Sequence, residues 1–407
     1  MEVILQILKF LFYSFSAVVA FYFLLPVALF ILHYIFGGDK KNYADRYKKV
    51  NDHSYNFAAI ITAHQDTRFI APFVDSFLKQ HYPHFTVYVV ADDCENYHPE
   101  LLLQNEKIVV LQPEVALHSK IKSIQFAINN FIQAPDVLII FDSDNLVHPD
   151  YLKNLNQYFQ KGFKAVQTHM LSKNIHNTYA RLDSIGHIYY TFYERQVKMQ
   201  LGLSSAILGL GIALDFDLYK EINYQAVIGG FDKKLQSQLA RKVKQIAFAQ
   251  DAIVYDEKVE DAAVMEKQRT RWIYSYFNHF NESWLLMWTG LKNFNFGQLL
   301  LGATMLRPPM ILLLLSCFVC LVISLFVKPV LLFVWLLVLL LFVVNFILTI
   351  ATQSHQKGMS HAIKHLPLLF LSQLKALMKM KKAKQNFLKT EHKKIIYIDE
   401  LLKNELT

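Results

Sequence analysis

Three stretches of the chain are long and almost entirely apolar. They span residues 3–36, 309–327 and 330–352. Lys9 is the only charged residue in these runs, and each run is long enough for a helix that crosses a bilayer. Lys328 and Pro329 separate the last two runs, which suits a tight hairpin at a membrane surface. A cleaved signal peptide fits the first run less well, because the run is too long and lacks a small-residue cleavage site. The pattern predicts three membrane helices.

The middle of the chain carries a second pattern, in which short apolar runs alternate with helix-like stretches. Three β-branched or aromatic runs cover residues 57–63, 85–91 and 137–141, and polar residues follow each of them. This alternation predicts a parallel sheet with crossover helices. Ligands of such sheets bind beyond the carboxyl ends of the strands. We therefore expect one site, formed by the polar residues at these ends, which are Thr62, His64, Gln65, Asp92, Asp93, Asp142 and Asp144.

The placement of charge bears on topology and on partners. The chain has a formal charge of +9, and Lys and Arg cluster at residues 37–49 and 375–394, next to the first and third apolar runs. The positive-inside rule predicts that both clusters, and the domain between them, are cytoplasmic. Because the clusters adjoin membrane segments, we expect membrane lipids as their partners rather than nucleic acid. The three cysteines show neither disulfide nor zinc spacing, which argues against redox chemistry.

Asp142 and Asp144 form a D-x-D pair directly after the apolar run LIIF. Two carboxylates at a strand end can hold one hard divalent cation and leave coordination positions for phosphate oxygens. A solvated turn or a helix cap is the structural alternative, since Asp favours both. The position at the end of a buried run favours the metal site. Mg2+ and Mn2+ accept the same oxygen ligands, so the sequence does not choose between them.

Two further positions suggest contacts to a nucleotide. Asp92 and Asp93 can accept hydrogen bonds from a pyrimidine or a ribose, although a capped turn would also place aspartates there. Lys120 could reach a diphosphate, and the alternative is a solvated surface lysine.

The segment QRTRW contains Gln268, Arg269, Arg271 and Trp272. The planar guanidinium of arginine matches phosphate oxygens, and an aromatic face suits a sugar ring or an apolar chain. An amphipathic helix at the membrane surface, with its charges towards lipid headgroups, explains the same residues equally well.

The order of five short motifs resembles that of the membrane-bound, processive-type members of glycosyltransferase family 2. The motifs are TAHQD, VVADDCEN, FDSDN, LGLG and QRTRW. This group includes cellulose, hyaluronan and poly-N-acetylglucosamine synthases. The resemblance covers residues 55–275 and the flanking membrane helices. It implies a GT-A-type (Rossmann-like) mixed α/β sheet with flanking helices. It also implies inverting transfer of a sugar from a nucleotide sugar, a UDP-hexose or UDP-N-acetylhexosamine, with Mg2+ or Mn2+ as cofactor.

The resemblance also implies a role for each matching residue. Nucleotide-sugar binding would involve Thr62, His64, Asp92, Asp93, Lys120 and Asp142, with Asp92 at the base. Asp144, next to Asp142, would bind the metal. The diphosphate and the acceptor channel would be bordered by Gln268, Arg271 and Trp272. The LGLG segment would approach the donor sugar or the acceptor through Gly209 and Gly211, because glycine allows close approach of the backbone.

The sequence departs from the family pattern at the catalytic base. Family members carry Glu-Asp, whose Asp takes a proton from the acceptor, and two registers are open here. In one register Gln238 occupies the position of the base, and the enzyme lacks a base. In the other, Phe231 and Asp232 replace Glu-Asp. Counting back from the predicted strand at 246–257 favours Asp232.

These features predict five regions. They are an N-terminal membrane helix (1–36), a cytoplasmic glycosyltransferase domain (50–275), interfacial helices (276–308), a membrane hairpin (309–352) and a basic amphipathic cytoplasmic tail (353–407). Within the tail, Thr390 and His392 could touch the nucleotide, or FLKTEHKK could be a plain charged segment. The expected location is the bacterial inner membrane.

The acceptor remains open at this point. A growing polysaccharide or a lipid-linked acceptor is expected, and three membrane helices are few for a polymer channel, so a homo-oligomer or an export subunit could complete it. One alternative is transfer of a single sugar to a polyprenyl phosphate or a ceramide-like lipid, although Q-x-x-R-W argues against the simple polyprenyl-phosphate enzymes. The other is an inactive, glycosyltransferase-like assembly subunit.

Overall fold

The computed structural model describes most of the chain. The described residues are 2–37, 43–94, 97, 99–100, 104–222, 230–354, 359–380 and 393–406. Thr390 and His392, which the sequence suggested as nucleotide contacts, lie outside these residues.

An eight-stranded mixed sheet forms the centre of the molecule. Its strands are β1 (Phe57–His64), β2 (Phe85–Asp92), β3 (Ile108–Leu111), β4 (Val137–Asp142), β5 (Leu146–Val147), β6 (Ala165–Ser172), β7 (Ile212–Asp215) and β8 (Ala247–Asp256). The strand order is β3-β2-β1-β4-β7-β6-β8-β5. The first four strands in this order are parallel, whereas β7 is antiparallel to both neighbours and β5 is antiparallel to β8. The predicted mixed α/β sheet is confirmed.

The register of the parallel strands places the predicted polar residues at one edge. His64 pairs with Asp92 across β1 and β2, and Thr62 pairs with Asp142 across β1 and β4. The three strands are continuous apolar runs because both faces of the sheet are covered. Each strand extends one residue further than its predicted run, into the first polar residue.

Helices cover both faces of the sheet. The helices between residues 57 and 246 are α2 (Ile70–Leu78), α3 (Lys120–Asn129), α4 (Tyr151–Gln160), α5 (Thr178–Thr191), α6 (Val197–Gln200), α7 (Phe216–Lys220) and α8 (Phe231–Lys242), with a π-helical turn at Phe192–Gln196. A 3-10 turn at Tyr43–Arg46 precedes them. Helices α2 and α4 contribute Phe73 and Tyr151 to the core on one face. On the other face, α3 and α8 contribute Ile124 and Leu235. The edge that carries the polar residues therefore opens between two packed layers.

Three helices are long and apolar enough to cross a membrane. They are α1 (Glu2–Ile35), α12 (Met310–Val327) and α13 (Val330–Gln353). They pack together and onto α5, with Phe23 of α1 edge-on to Phe342 of α13 at 4.9 Å between ring centroids. Their bounds agree with the three predicted membrane helices.

The connection between the sheet and the apolar hairpin of α12 and α13 is helical. It consists of α9 (Ala262–Asn278), α10 (Phe280–Lys292) and α11 (Phe296–Met305). Leu286 and Leu301 are buried against the core shared with α8. Trp284 and Trp288 of α10 are about half exposed. These helices therefore pack against the sheet domain with one side, and their position at the membrane interface remains a prediction.

The chain ends in α14 (Met359–Ala362), α15 (Leu366–Lys379) and α16 (Ile398–Leu406), with a 3-10 turn at Ile363–His365. Helix α15 packs along α9. The start of α16 returns to the sheet, where Ile398 is fully buried beside Leu146 and Tyr255.

Candidate active site

The ends of β1 and β2 surround a buried carboxylate, Asp92, which is 1% exposed. Its Oδ1 accepts a hydrogen bond from the backbone N–H of Leu117 at 2.6 Å, and its Oδ2 accepts one from that of His118 at 3.0 Å. The same Oδ2 lies 3.0 Å from His64 Nδ1. The carboxylate of Asp92 therefore fixes the loop before α3. Its predicted contact with a nucleotide base remains a prediction.

Asp93 and Thr62 lie at the same edge as Asp92. Asp93 has a left-handed backbone with a φ of 54°, and its Oδ2 accepts a hydrogen bond from Gln65 Nε2 at 2.5 Å. Thr62 Oγ1 donates to the carbonyl of Phe141 at 3.2 Å, which ties β1 to β4. Asp93 is half-buried, so it is the aspartate of this pair that presents a carboxylate to the open side.

The D-x-D turn follows β4. The side chain of Asp142 is 42% exposed, and its Oδ1 accepts a hydrogen bond from Lys120 Nζ at 2.5 Å. Lys120 Nζ also donates to the carbonyl of Gly209 at 2.7 Å, so one lysine joins the turn to the LGLG segment. Asp144 is 6% exposed, and Lys173 Nζ donates to its backbone carbonyl at 2.5 Å. The structure thus brings Lys120 to the predicted metal turn.

Buried polar groups hold the turn in place from the side of β8. Asn145 Oδ1 accepts a hydrogen bond from the backbone N–H of Asp142 at 3.0 Å, and its Nδ2 donates to Asp256 Oδ1 at 3.1 Å. Asp256 in turn pairs with Lys258 at 2.9 Å. The side chain of Asn145 therefore links the turn to β8 through a hydrogen bond at each end.

The C-terminal segment packs beside the same turn. The carboxylate of Glu257 accepts hydrogen bonds from the backbone N–H groups of Lys393 at 2.7 Å and Lys394 at 3.0 Å. Ile398 packs in a buried cluster with Leu146, two residues after Asp144. The C-terminal segment therefore packs against the residues that follow the D-x-D turn.

Arg271 brings together residues from distant parts of the sequence. Burial lowers the pKa of its guanidinium, and the nearby carboxylates of Asp142 and Asp232 oppose that effect. Asp232, in the first turn of α8, also acts on the buried Arg195. Burial lowers the pKa of Arg195 to about 10, against the attraction of Glu194 and Asp232. Asp232 thus lies within electrostatic reach of two guanidinium groups at the predicted site.

The other residues of QRTRW have different environments. Gln268 is 8% exposed, and its Oε1 has no hydrogen-bond partner among the described residues. Arg269 Nη2 donates to Asp183 at 2.5 Å, and its guanidinium lies over the ring of Trp272 at 4.3 Å from the centroid. Trp272 is 47% exposed, so its ring lies at the surface against Arg269.

The two glycines of LGLG differ in whether the structure has room for a side chain at their position. Gly211 has a φ of +63°, and a Cβ there would lie 2.5 Å from Thr168 Oγ1. Its carbonyl accepts a hydrogen bond from the same hydroxyl at 2.7 Å. Close approach to β6 therefore explains Gly211 without a ligand. At Gly209 a Cβ would meet only the ring of Phe231, at 3.6 Å, which is ordinary contact.

The donor set of the D-x-D turn fits the divalent cation that the sequence implies. Asp142 and Asp144 offer carboxylate oxygens, which are the ligands preferred by Mg2+ and Mn2+. The ammonium of Lys120 on Asp142 Oδ1 shows that this carboxylate already attracts a cation. Both carboxylates come from one rigid turn at the sheet edge.

Two residues of the site were missed from the sequence. Arg195 lies in the π-helical turn, a distortion that is frequent at functional sites, and Lys173 lies just after β6. In the sequence, Arg195 belongs to the stretch FYERQ, which has the charge pattern of any amphipathic helix. Neither residue has a spacing signal, because only the fold brings them to Asp232 and Asp144.

A family comparison assigns most of the catalytic domain. The model of the family described as "Glycosyltransferase like family 2" matches residues 54–275. The sequence comparison with curated proteins finds no match.

Solved structures share the fold. The mannosyltransferase PcManGT from Pyrobaculum calidifontis, solved in complex with GDP-Man and Mn2+, superposes with a TM-score of 0.59 at 12% identity, over 92% of this chain and 100% of that chain. TarS 1–349 from S. aureus is more distant, with a TM-score of 0.40 at 15% identity, over 56% of this chain and 65% of that chain. The PcManGT likeness establishes the fold as GT-A-like.

Proposed function

The chain belongs to glycosyltransferase like family 2, and on that basis we propose that it transfers a sugar from a nucleotide sugar to a growing polysaccharide or a lipid-linked acceptor. We propose a UDP-hexose or a UDP-N-acetylhexosamine as the donor. One observation carries the proposal: Arg271 of α9 lies within electrostatic reach of both Asp142, at the end of β4, and Asp232, at the start of α8, although the three lie far apart in the sequence.

The donor side is assigned to the D-x-D turn and its cationic neighbours. Asp142 and Asp144 would hold the divalent cation, which supplies positive charge for the diphosphate when it is bound. Arg271 lies close enough to interact with Asp142, and its guanidinium is suited to stabilise the negative charge that develops on the leaving nucleoside diphosphate. Lys120 already contacts Asp142 and can exchange that contact for a phosphate oxygen.

The acceptor side is assigned to Asp232. The acceptor hydroxyl loses a proton as it attacks the anomeric carbon, and a carboxylate within hydrogen-bond reach can take that proton. Asp232 lies within electrostatic reach of Arg271 and Arg195, and so near the proposed donor site. Direct displacement by the hydroxyl inverts the anomeric centre. This assignment rests on the register in which Phe231-Asp232 replaces Glu-Asp.

The membrane helices support an acceptor that is lipid-linked or exported. Helices α1, α12 and α13 pack into one bundle, and α9–α11 connect it to the site. The ion pair of Glu194 with Arg307 at 3.2 Å ties the π-helical turn after α5 to the residues just before α12. We assign the enzyme to the processive-type, membrane-bound members of the family, with its catalytic domain in the cytoplasm of a bacterium.

The test is release of nucleoside diphosphate by the full-length protein in detergent. Donors are a panel of UDP-sugars and GDP-mannose, each with Mg2+, Mn2+ or a chelator. We expect metal-dependent release from one donor, and a loss of about 100-fold or more in Asp144→Asn. Asp217→Asn, at an exposed surface carboxylate, is the control and should keep the wild-type rate. Release that persists with the chelator, or equally in Asp144→Asn, would contradict the proposed metal site. Absence of release from every donor would contradict the transferase activity.

A further inference from the structure

The ring of Phe231 lies between the LGLG segment and Lys120. Phe231 begins α8, and its side chain is 9% exposed and packs in the core on the α3 and α8 face of the sheet. A Cβ on Gly209 would lie 3.6 Å from Cε1 of the ring, and Lys120 Nζ lies 5.4 Å from the ring centroid. An ammonium within about 6 Å of an aromatic face is attracted by the partial negative charge of that face. The ring is therefore a partner of Lys120, besides Asp142 and the Gly209 carbonyl.

The backbone before Phe231 fixes where the ring lies. Gly230 has a φ of +68°, and a Cβ there would clash with Ser275 of α9 and with His279, the residue after α9. Glycine is suited to this position because it adopts a positive φ without strain and leaves room for close approach. The start of α8 is thus set by packing against α9, the helix that also carries Arg271.

Lys120 is the first residue of α3. A positive charge is disfavoured there, because the amino end of a helix is itself positive. Three contacts of the ammonium oppose this effect: Asp142 Oδ1 accepts a hydrogen bond at 2.5 Å, the Gly209 carbonyl accepts one at 2.7 Å, and the ring of Phe231 lies beneath it. The side chain of Lys120 is still 21% exposed. The ammonium is therefore held at the sheet edge and remains within reach of a ligand.

The three partners differ in their effect on the charge of Lys120. A carboxylate carries a full negative charge and competes with a phosphate for the ammonium, whereas an aromatic face and a carbonyl attract the ammonium without neutralising it. When the ammonium exchanges Asp142 for a phosphate oxygen, the ring of Phe231 and the carbonyl of Gly209 still hold it. An acidic side chain at position 231 would instead pair with Lys120 and oppose that exchange.

We propose that Phe231 is a positioning residue for the donor, whose ring holds the ammonium of Lys120 for the diphosphate of the nucleotide and leaves its charge available. This proposal rests on the proposed function. It divides the start of α8 between the two substrates, because Phe231 acts on the donor through Lys120 and Asp232 is assigned to the acceptor. Phe231 therefore determines affinity for a nucleoside diphosphate more than it affects the proton transfer.

The first test changes the charge of the ring and keeps its shape. In the full-length protein in detergent, Phe231 is replaced by phenylalanine with one, two or three ring fluorines, which withdraw charge from the face. Binding of UDP and of GDP is measured by calorimetry with Mn2+. We expect the Kd of the nucleotide that binds to rise with each fluorine, by about threefold or more over the series. The same series at Phe216 is the matched control, because its ring lies 5.0 Å from Lys220 Nζ, beyond the start of β4 and away from the site.

A second measurement shows whether the ring acts through Lys120. Phe231→Leu should raise the Kd of the same nucleotide by roughly 3- to 30-fold, and Phe231→Tyr, which keeps the ring, should bind like the wild type. In a Lys120→Met background Phe231→Leu should have no further effect, because no ammonium remains for the ring to hold. A role in packing alone would give the same loss in both backgrounds.

The fluorinated series decides the question even where Phe231→Leu fails to fold. The proposal is overturned if the series binds the nucleotide as tightly as the wild type, or if Phe231→Leu loses as much affinity with Lys120→Met as without it. Either result leaves the proposed function intact. If the wild-type protein binds neither UDP nor GDP with Mn2+, the proposed function is contradicted and the role of Phe231 with it.

Discussion

Glu194 lies at the centre of a buried charge network, and its replacement by glutamine should destabilise the protein strongly. The residue is 9% exposed and lies in the π-helical turn. Its carboxylate pairs with Lys198 at 2.7 Å and with Arg307 at 3.2 Å, just before α12. Arg307 also lies over the ring of Tyr190, at 4.5 Å from the centroid. Glu194→Gln leaves two cations buried next to an uncharged side chain.

Two lines of reasoning give the magnitude. Breaking a buried ion pair by removing one partner costs about 3–5 kcal/mol. Burial raises the pKa of Glu194, but the combined attraction of Lys198, Arg307 and Arg195 outweighs it and lowers this pKa to about 2. Relative to an ordinary value of 4.5, and with about 1.4 kcal/mol per pKa unit, the ionised carboxylate stabilises the fold by about 3 kcal/mol. We therefore expect the free energy of unfolding to fall by about 3–5 kcal/mol.

The pH dependence of stability separates this network from a packing effect. Because the folded-state pKa of Glu194 is below its unfolded value, its contribution is fully present above pH 4.5 and is lost as the pH falls towards about 2. In Glu194→Gln this acid-dependent loss should be smaller. Burial also lowers the pKa of Lys198 below its ordinary value of 10.5, so the variant should regain stability as the pH rises towards that value and Lys198 loses its proton.

The assay is chemical denaturation in detergent micelles, followed by tryptophan fluorescence. Glu221→Gln is the matched control, because it removes a Glu–Lys pair at 2.9 Å that lies at the surface, and it should leave the midpoint unchanged. The double variant Glu194→Gln/Lys198→Met should recover part of the lost stability, since it removes one of the two stranded cations. A loss in Glu194→Gln no larger than in Glu221→Gln would refute the reasoning.

Three other substitutions test separate parts of the structure. Gly211→Ala should lower the free energy of unfolding by about 1–3 kcal/mol, because Gly211 has a positive φ and a Cβ there would clash with Thr168 Oγ1. Gly209→Ala is the control and should be nearly neutral. Equal losses in the two variants would contradict the role of Gly211. Ile398→Ala should lower the free energy of unfolding by about 2–5 kcal/mol, since the side chain is fully buried in the cluster with Leu146. A loss under roughly 0.5 kcal/mol, typical of a surface site, would show that α16 does not pack there. Asp92→Ala should raise the donor KM by about tenfold or more while kcat changes less, because the loop before α3 loses the carboxylate that accepts its backbone hydrogen bonds. An unchanged KM would contradict the role of Asp92 in holding this loop.

Much of the fold follows from the sequence because its elements are strongly patterned. The runs at 57–63, 85–91 and 137–141 are apolar throughout, and helices on both faces of a sheet require such strands. The membrane helices are equally clear from their length. The antiparallel strand β7 was not predicted, because its four residues, Ile212–Asp215, are too few to show a period. Its position between β4 and β6 depends on long-range packing.

The sequence predicted a candidate site whose residues come from distant parts of the chain. In the structure Lys120 contacts Asp142, and Arg271 lies within electrostatic reach of the same carboxylate. The contacts that hold Asp92 were not predicted, because the backbone N–H groups that reach it lie about 25 residues away and no sequence pattern encodes that contact. Arg195 was missed for the same reason.

The most direct test of the account compares the two candidate bases under saturating donor and metal. Turnover is measured for Asp232→Asn and for Gln238→Leu, together with donor binding by calorimetry. We expect Asp232→Asn to lose about 100- to 10,000-fold in kcat while it still binds the donor, because only the proton acceptor is removed. Gln238→Leu should turn over like the wild type. Wild-type turnover in Asp232→Asn would contradict the assignment of the base and the register on which it rests.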